Sequence, residues 1–309
     1  MAKKKEEVIR GAEVANDGNR AINKFKISDF LMMAFIVILC LTCIMPFVHL
    51  LAKSISGNGV VVANRVYFIP KDLTFDAYKS IFVDGGLTYS MVYSVIVTAV
   101  FTVLGMVACT CAAYPLSKKR LKGRSFFTFI LMFPMYFGAG LIPGYLLLKN
   151  LHLLDTVWVL ILPLIYSPYN MLIMKTSLQS SIPDSLEESA FLDGATNFQI
   201  LWKIVLPLSK PVIATLSLFY AVGRWNSYAD NMYYIRTDKL KMAQYKLSQM
   251  VSSAAEAQTT SLSEGAAVTS TPAVLQAAAI MVVTIPIICI YPFVQKYFVK
   301  GVMIGAVKG

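Results

Sequence analysis

Charge is scarce in this chain. Of its 309 residues only 15% are charged and 57% are hydrophobic, against about 25% and about 45–50% in an ordinary soluble domain. Histidine occurs twice, and the dipeptide Gly-Lys does not occur at all. A Walker A loop is thereby excluded, and with it ATP hydrolysis by this chain alone. No HExxH, nucleophile elbow or paired-carboxylate pattern is present. His49 and His152 have no partner at catalytic spacing. Cys40, Cys43, Cys109, Cys111 and Cys289 all lie inside apolar stretches. Cys40 and Cys43 form a CxxC, but no second pair stands at zinc spacing. No catalytic residue, metal site or cofactor of its own is expected. No repeat at solenoid spacing is visible.

What the chain does have is apolar blocks of about twenty residues, long enough to cross a bilayer core of roughly 30 Å as helices. Six are expected, at 30–51, 87–114, 126–148, 156–174, 207–229 and 273–293, which predicts an all-α integral membrane protein. Pro46, Pro134, Pro143, Pro163, Pro168, Pro286 and Pro292 fall within or at the ends of these blocks. Membrane helices tolerate them because neighbouring helices and hydroxyls re-satisfy the freed carbonyls, so kinked, packed spans are expected.

The formal net charge is +11. The Lys and Arg flank the apolar blocks, as juxtamembrane charges do, so nucleic-acid binding is not expected. Residues 1–29 read as a cytoplasmic tail, not a cleavable signal, because the first apolar block exceeds a signal-peptide core. That tail, the second-to-third loop, the fourth-to-fifth loop and the C-terminal end after residue 293, which finishes in a tail at 301–309, hold twice as many Lys and Arg as the other three loops. The densest cluster is Ser117 to Arg124. Positive charge stays inside, which puts both termini in the cytoplasm of a multi-pass plasma-membrane protein. Two outer loops are long. The second, 230–272, contains SSAAEAQTTSLSEGAAVTSTP, which lacks large apolar residues and reads as mobile or weakly packed.

The fourth-to-fifth loop, 182–211, is too polar to span and too patterned for a random linker. Pro183 suits a helix start. Asp184 with Glu187, and Ser185 with Glu188, stand at capping-box spacing. Asp193–Gly194 breaks the helix, since glycine reaches positive φ at little cost. Thr196 and Gln199 form another capping-box pair, and Pro207 and Pro211 mark the start of the fifth span. The pattern predicts helix, tight turn, helix on the cytoplasmic face. Capping chemistry alone is equally compatible with an interfacial hairpin that merely joins two spans.

The segment resembles the EAA loop of permease subunits in binding-protein-dependent ABC importers: EAA, three residues, Gly, nine residues, then I-x-L-P. Here it reads Glu188-Ser189-Ala190, Gly194, Ile204-Val205-Leu206-Pro207. Ser189 replaces the first alanine, a small-for-small change. Asp193-Gly194-Ala195 resembles the DGA form of sugar permeases, Trp225-Asn226-Ser227 their WNS, and residues 295–309 the tail of maltose-permease-type subunits. The resemblance covers the chain well from about Leu87 onward and the first span loosely. It is nearest to the branch that imports complex oligosaccharides.

The resemblance implies a six-helix type I ABC importer transmembrane domain spanning 30–300. It implies a sugar or oligosaccharide as cargo and a coupling helix seated on a separate ATPase, which binds the ATP and Mg. The coupling residues would be Glu187, Glu188, Ser189, Ala190, Asp193, Gly194, Ala195, Ile204, Leu206 and Pro207. Glu188 would meet a basic group of the ATPase, and Gly194 would form the turn. The implied partners are a second, different permease chain, an ATPase dimer, an extracellular solute-binding protein facing the 230–272 loop, and membrane lipid.

Polar and aromatic groups within spans tend to face an interior or a cavity. Tyr136, Tyr166, Tyr169, Asn170, Arg224, Trp225, Asn226 and Tyr228 are therefore candidates for the substrate pathway. Arg224, Trp225 and Tyr228 would equally serve as interfacial anchors, and Asn170 as an interhelical bond. Two rival readings remain: an ABC permease for a non-sugar solute, and an ion-coupled secondary transporter. The second would want carboxylates in the span cores, and there are none.

Overall fold

A computed structural model describes residues 27–83, 86–264 and 272–306. Ten helices organise it: α1 (Ile27–Ser54), α2 (Gly86–Ser117), α3 (Arg124–Tyr136), α4 (Leu141–Asn150), α5 (Pro168–Ser181), α6 (Asp184–Leu192), α7 (Asn197–Leu208), α8 (Lys210–Asn226), α9 (Ala243–Glu264) and α10 (Pro272–Ala306). Short helical turns join them. Among the described residues the only β-type pairing is one isolated bridge, Ser56 with Leu73.

Three helices are long and apolar enough to cross a membrane by themselves: α1, α2 and the 273–290 part of α10. The other three apolar blocks are bent pairs. The third bends by 112° between α3 and α4, the fourth by 50° before α5, and the fifth by 82° between α7 and α8. Counting each pair as one span gives six. The kinks fall at glycine or just before proline. α3 keeps Pro134 inside it and ends at Phe137, and the chain resumes after Gly140, whose φ is +86°. Ser167 is extended ahead of Pro168, because the proline ring disfavours the helical region for its predecessor.

The core forms where α2 packs on α5 and α8. Val97, Phe101, Cys109 and Ala113 of α2 meet Met171, Met174 and Leu178 of α5 and Leu216 and Tyr220 of α8. Gly105 permits the closest approach. A Cβ there would lie 2.8 Å from the Tyr220 ring, inside contact distance. A second cluster joins Ile81, Leu87, Trp225, Ala243, Ala278, Ala279 and Val283. α1 touches α10, yet the apolar window of α1 is wholly unburied within the chain. Only Ala52 and Ser54 at its end are enclosed.

Two expectations are corrected. The 230–272 segment is not irregular throughout, because Ala243–Glu264 is a 22-residue helix. Its Ala, Gln, Leu, Met and Glu are strong helix formers. Its first turns are docked by Ala243, Leu247 and Met250 on the second cluster. The Ala243 N–H also donates to Ser94 Oγ at 2.8 Å. Residues 265–271 lie outside the described residues, as does the 1–26 part of the N-terminal tail. At the other end, α10 continues to Ala306, past the expected span end at 293 and into the 301–309 tail.

Candidate coupling element

The 182–211 segment folds as helix, turn, helix. Its first helix, α6, is capped by Pro183 in extended conformation, without a side-chain cap bond. The expected boxes at Asp184 and Ser185 therefore do not form. Their partners are used elsewhere: Asp184 and Glu187 pair with lysines of the α2 end, and the Ser185 carbonyl accepts Ser189 Oγ at 2.9 Å. Pro183 occupies the N-cap position, so Asp184 and Ser185 already stand inside the helix, where their side chains cannot cap it.

The turn is closed by a Schellman motif. The Ala195 N–H donates to the Ala190 carbonyl at 2.9 Å and the Gly194 N–H to the Phe191 carbonyl at 3.0 Å. That geometry needs a left-handed residue, and Gly194 supplies it with φ +79°. The small Ala190 and Ala195 pack beneath the turn. Thr196 then forms the expected capping box, with Thr196 Oγ1 accepting from the Gln199 N–H at 3.3 Å and Gln199 Oε1 from the Thr196 N–H at 2.8 Å. α7 loosens into a π-helical turn, Leu201–Val205, ahead of Pro207, whose ring cannot join the ladder. Ile204 and Leu206 are half-buried along it, and Val205 is fully buried. At Ser209 the chain bends into α8.

The basic end of α2 grips this element. Lys118 pairs with Glu187, both nearly buried. Lys119 Nζ lies 3.0 Å from Asp184 Oδ2. Arg120 Nη2 donates to Asn197 Oδ1 at 2.5 Å, and its guanidinium stacks over the Phe191 ring at 4.2 Å. Gln179 Nε2 of α5 donates to the Ser117 carbonyl at 3.3 Å. Both helices and the turn between them are thus held to one neighbour. The Lys119 ammonium holds the Asp184 carboxyl below the usual carboxylate range.

Glu187 was expected among the partner-facing residues. Instead it points into its own chain, since at its position the α6 face meets α2. Glu188, Ser189, Asp193 and Gly194 are exposed. Beside them stand residues that sequence reasoning passed over: Leu192 at 89%, Phe198 at 70% and Trp202 at 63% exposure. Phe198 and Trp202 stack with ring centroids 6.4 Å apart. Their signal was large apolar side chains in a segment too polar to span.

The eight pathway candidates do not form one site. Arg224 is 2% exposed. Its Nη1 donates to the Leu160 carbonyl at 2.9 Å and lies 2.5 Å from Asp230 Oδ2. Trp225 is buried in the second cluster. Neither is an interfacial anchor within this chain. Tyr166 donates its hydroxyl to the Leu131 carbonyl at 2.9 Å, tying the fourth block's kink to α3. Asn170 is buried, and its N–H donates to Ser167 Oγ at 3.3 Å. Tyr136, Tyr169, Asn226 and Tyr228 are exposed. Among the described residues no three His, Cys, Asp or Glu side chains come together as a metal would require.

Bent apolar spans around a tight three-helix core, with a rigid helical hairpin presented beyond them, define a polytopic membrane protein of the type I importer architecture. The chain belongs to the family described as binding-protein-dependent transport system inner membrane component, which it matches over residues 102–304. That family consists of transport permease subunits, not enzymes. The polygalacturonan/rhamnogalacturonan transport system permease protein YtcP of Bacillus subtilis is 39% identical over 93% of this chain and 100% of its own length. Protein LplC of the same organism is 39% identical over 86% of this chain and 90% of its own. A solved bacterial ABC transporter involved in import of the acidic polysaccharide alginate has a chain 32% identical to this one. The two superpose with a TM-score of 0.81 over 89% of this chain and 99% of that one.

Proposed function

We propose that this chain is the permease subunit of a bacterial ABC importer for sugars or oligosaccharides. The observation that carries the reading is the α6–α7 hairpin: clamped to α2, continuous with α8, and presenting Glu188, Leu192, Phe198 and Trp202 outward. A rigid element of this kind can pass the displacement of a partner to two spans together, which is what biasing two states of a bundle requires. The partner is a cytoplasmic ATPase dimer that binds ATP and Mg. Its groove takes the exposed Leu, Phe and Trp, and a basic group of it meets Glu188. Ala190 and Ala195 keep the turn compact, and Ile204, Leu206 and Pro207 lead it into the fifth span.

In this reading both termini and the hairpin are cytoplasmic. A second, different permease completes the pore and covers the open apolar flank of α1. An extracellular solute-binding protein meets the outer segment that includes α9. Tyr136, Tyr169, Asn226 and Tyr228, still open in this chain, remain the pathway candidates. Fragments of acidic polysaccharides are the first cargo to test, because YtcP and the alginate transporter carry such substrates in their names.

The test is co-purification in mild detergent followed by uptake of oligogalacturonate into vesicles. Wild type should recover a P-loop ATPase and a second permease and should import the sugar. Glu188→Lys with Gly194→Pro should lose the ATPase and the uptake. Uptake unaffected by the double change would overturn the coupling role. Import of a non-sugar solute, with the ATPase still bound, would keep the coupling role and replace the cargo.

A further inference from the structure

Apart from the exposed Lys122, Lys203 and Lys210, the cations at the end of the bundle that holds the clamp fall into two groups. Lys118 and Lys119 have carboxylate partners, and Arg120 has an amide and a ring. Arg124 and Lys175 have no carboxylate partner among the described residues. These two line one pocket of about 560 Å³ with Ser125, Thr128, Phe129 and Met132.

Lys175 is only 9% exposed. Its ammonium has three donors, and one is used, on Thr128 Oγ1 at 3.2 Å. Thr128 in turn donates to the Arg124 carbonyl at 2.8 Å, so its hydroxyl has no proton left to offer. A buried ammonium with two idle donors and no counter-charge is costly unless an anion completes it.

The position sets what that anion is. Lys175 lies six residues, roughly 9 Å, before the end of α5, and Arg124 opens α3. Both therefore lie toward the end of the bundle that carries the clamp, where apolar spans give way to charged segments. Phe129 walls the pocket while 66% exposed, in line with the outward Phe126, Ile130 and Phe133 of α3. The pocket therefore has a cationic, hydroxyl-lined end and an apolar flank open to the bilayer. A free phosphate would use only the first.

We propose that this pocket binds the headgroup of an anionic phospholipid, with Arg124 and Lys175 on the phosphate and an acyl chain along Phe129 and Met132. Basic pockets between membrane helices take such headgroups on the cytoplasmic side. Only the choice of leaflet rests on the orientation proposed above. The binding chemistry does not, and its test uses no transport readout.

The test is native mass spectrometry of the full chain in detergent, titrated with phosphatidylglycerol or with phosphatidylcholine of the same acyl chains. Wild type should retain phosphatidylglycerol and not phosphatidylcholine. Arg124→Gln and Lys175→Gln should each weaken that retention about tenfold, the equivalent of one good charged contact. Lys149→Gln, an exposed lysine of α4, should leave it unchanged. Arg124 is half-exposed, so its variant still reports if Lys175→Gln does not fold. Equal retention in the double variant would overturn the proposal, and so would equal loss in Lys149→Gln. Displacement of the lipid by glycerol phosphate at matched concentration would show free phosphate to be the ligand and would also overturn it.

Discussion

The two ends of the bundle secure their polar connections in opposite ways. At the end away from the clamp one guanidinium is fully enclosed: the Arg224 side chain is 0% exposed and that of its partner Asp230 14%. Arg224 is anchored on the Leu160 carbonyl, and Asp230 Oδ1 accepts Ser227 Oγ at 2.8 Å. At the clamp end the load is spread over Lys118, Lys119 and Arg120. These grade from a nearly buried pair to one whose partners are 82% and 60% exposed. Water can replace an exposed partner at little cost, whereas a buried charge stripped of its partner has none. The junction of α8 with the segment that follows it is thus a fixed joint. The junction of α2 with α6–α7 is a graded set of contacts that can be exchanged one at a time.

The largest test of that contrast is Arg224→Met. It leaves Asp230 facing an apolar interior and should cost about 3–5 kcal/mol, read as a lower Tm of the purified chain in detergent. Both contacts are made by Nη1 alone, so an ammonium brought to that point can meet both, and Arg224→Lys should recover much of the loss. A neutral Arg224→Met would remove the fixed joint.

Next is Lys118→Met, which strands the nearly buried Glu187 carboxylate and should cost about 3 kcal/mol. The exchange Lys118→Glu with Glu187→Lys should regain most of it. Regain of stability with uptake still lost would show that the orientation of the pair matters to coupling as well as its charge.

Thr196→Ala removes one half of the α7 capping box and should cost about 1 kcal/mol. The loss should appear as faster amide exchange at Asn197 to Gln199, with the Arg224 region unchanged.

The smallest effect belongs to Lys119 with Asp184. The Asp184 carboxyl is held below its ordinary range, so the contribution of the pair is complete above the ordinary carboxylate pKa. It is lost only as pH falls through the depressed one. Proteolysis within 182–211 should therefore be unchanged across neutral pH and rise only on strong acidification. Asp184→Asn should abolish that acid dependence and bring the neutral rate up to that of the acidified wild type.

Much of the coupling element was legible beforehand because its logic is local. Gly194 at the turn and Thr196 with Gln199 at the second cap act within a few residues of themselves, and all stand as expected. The caps expected at Asp184 and Ser185 did not form because the helix starts one residue earlier, with Pro183 at the N-cap; the carboxylates of Asp184 and Glu187 are taken by lysines 65 and 69 residues away. The same distance hid the inward turn of Glu187 and the enclosure of Arg224, whose carbonyl partner Leu160 is 64 residues off. The helix at Ala243–Glu264 was missed because low hydropathy was read as looseness, while its helix formers and the docking of Ala243 argued the other way.

The sequence by itself determined the class of protein. Apolar block length, sparse charge and the absence of a P-loop follow from composition and short-range spacing, and so do the turn and cap of the hairpin. Only the tertiary structure decided where the spans bend and which carboxylate of the EAA region faces outward. It also decided which of the cationic side chains are paired and which are left for a ligand. Those outcomes depend on side chains brought together from helices far apart in the chain, where burial multiplies the cost of an unmatched charge.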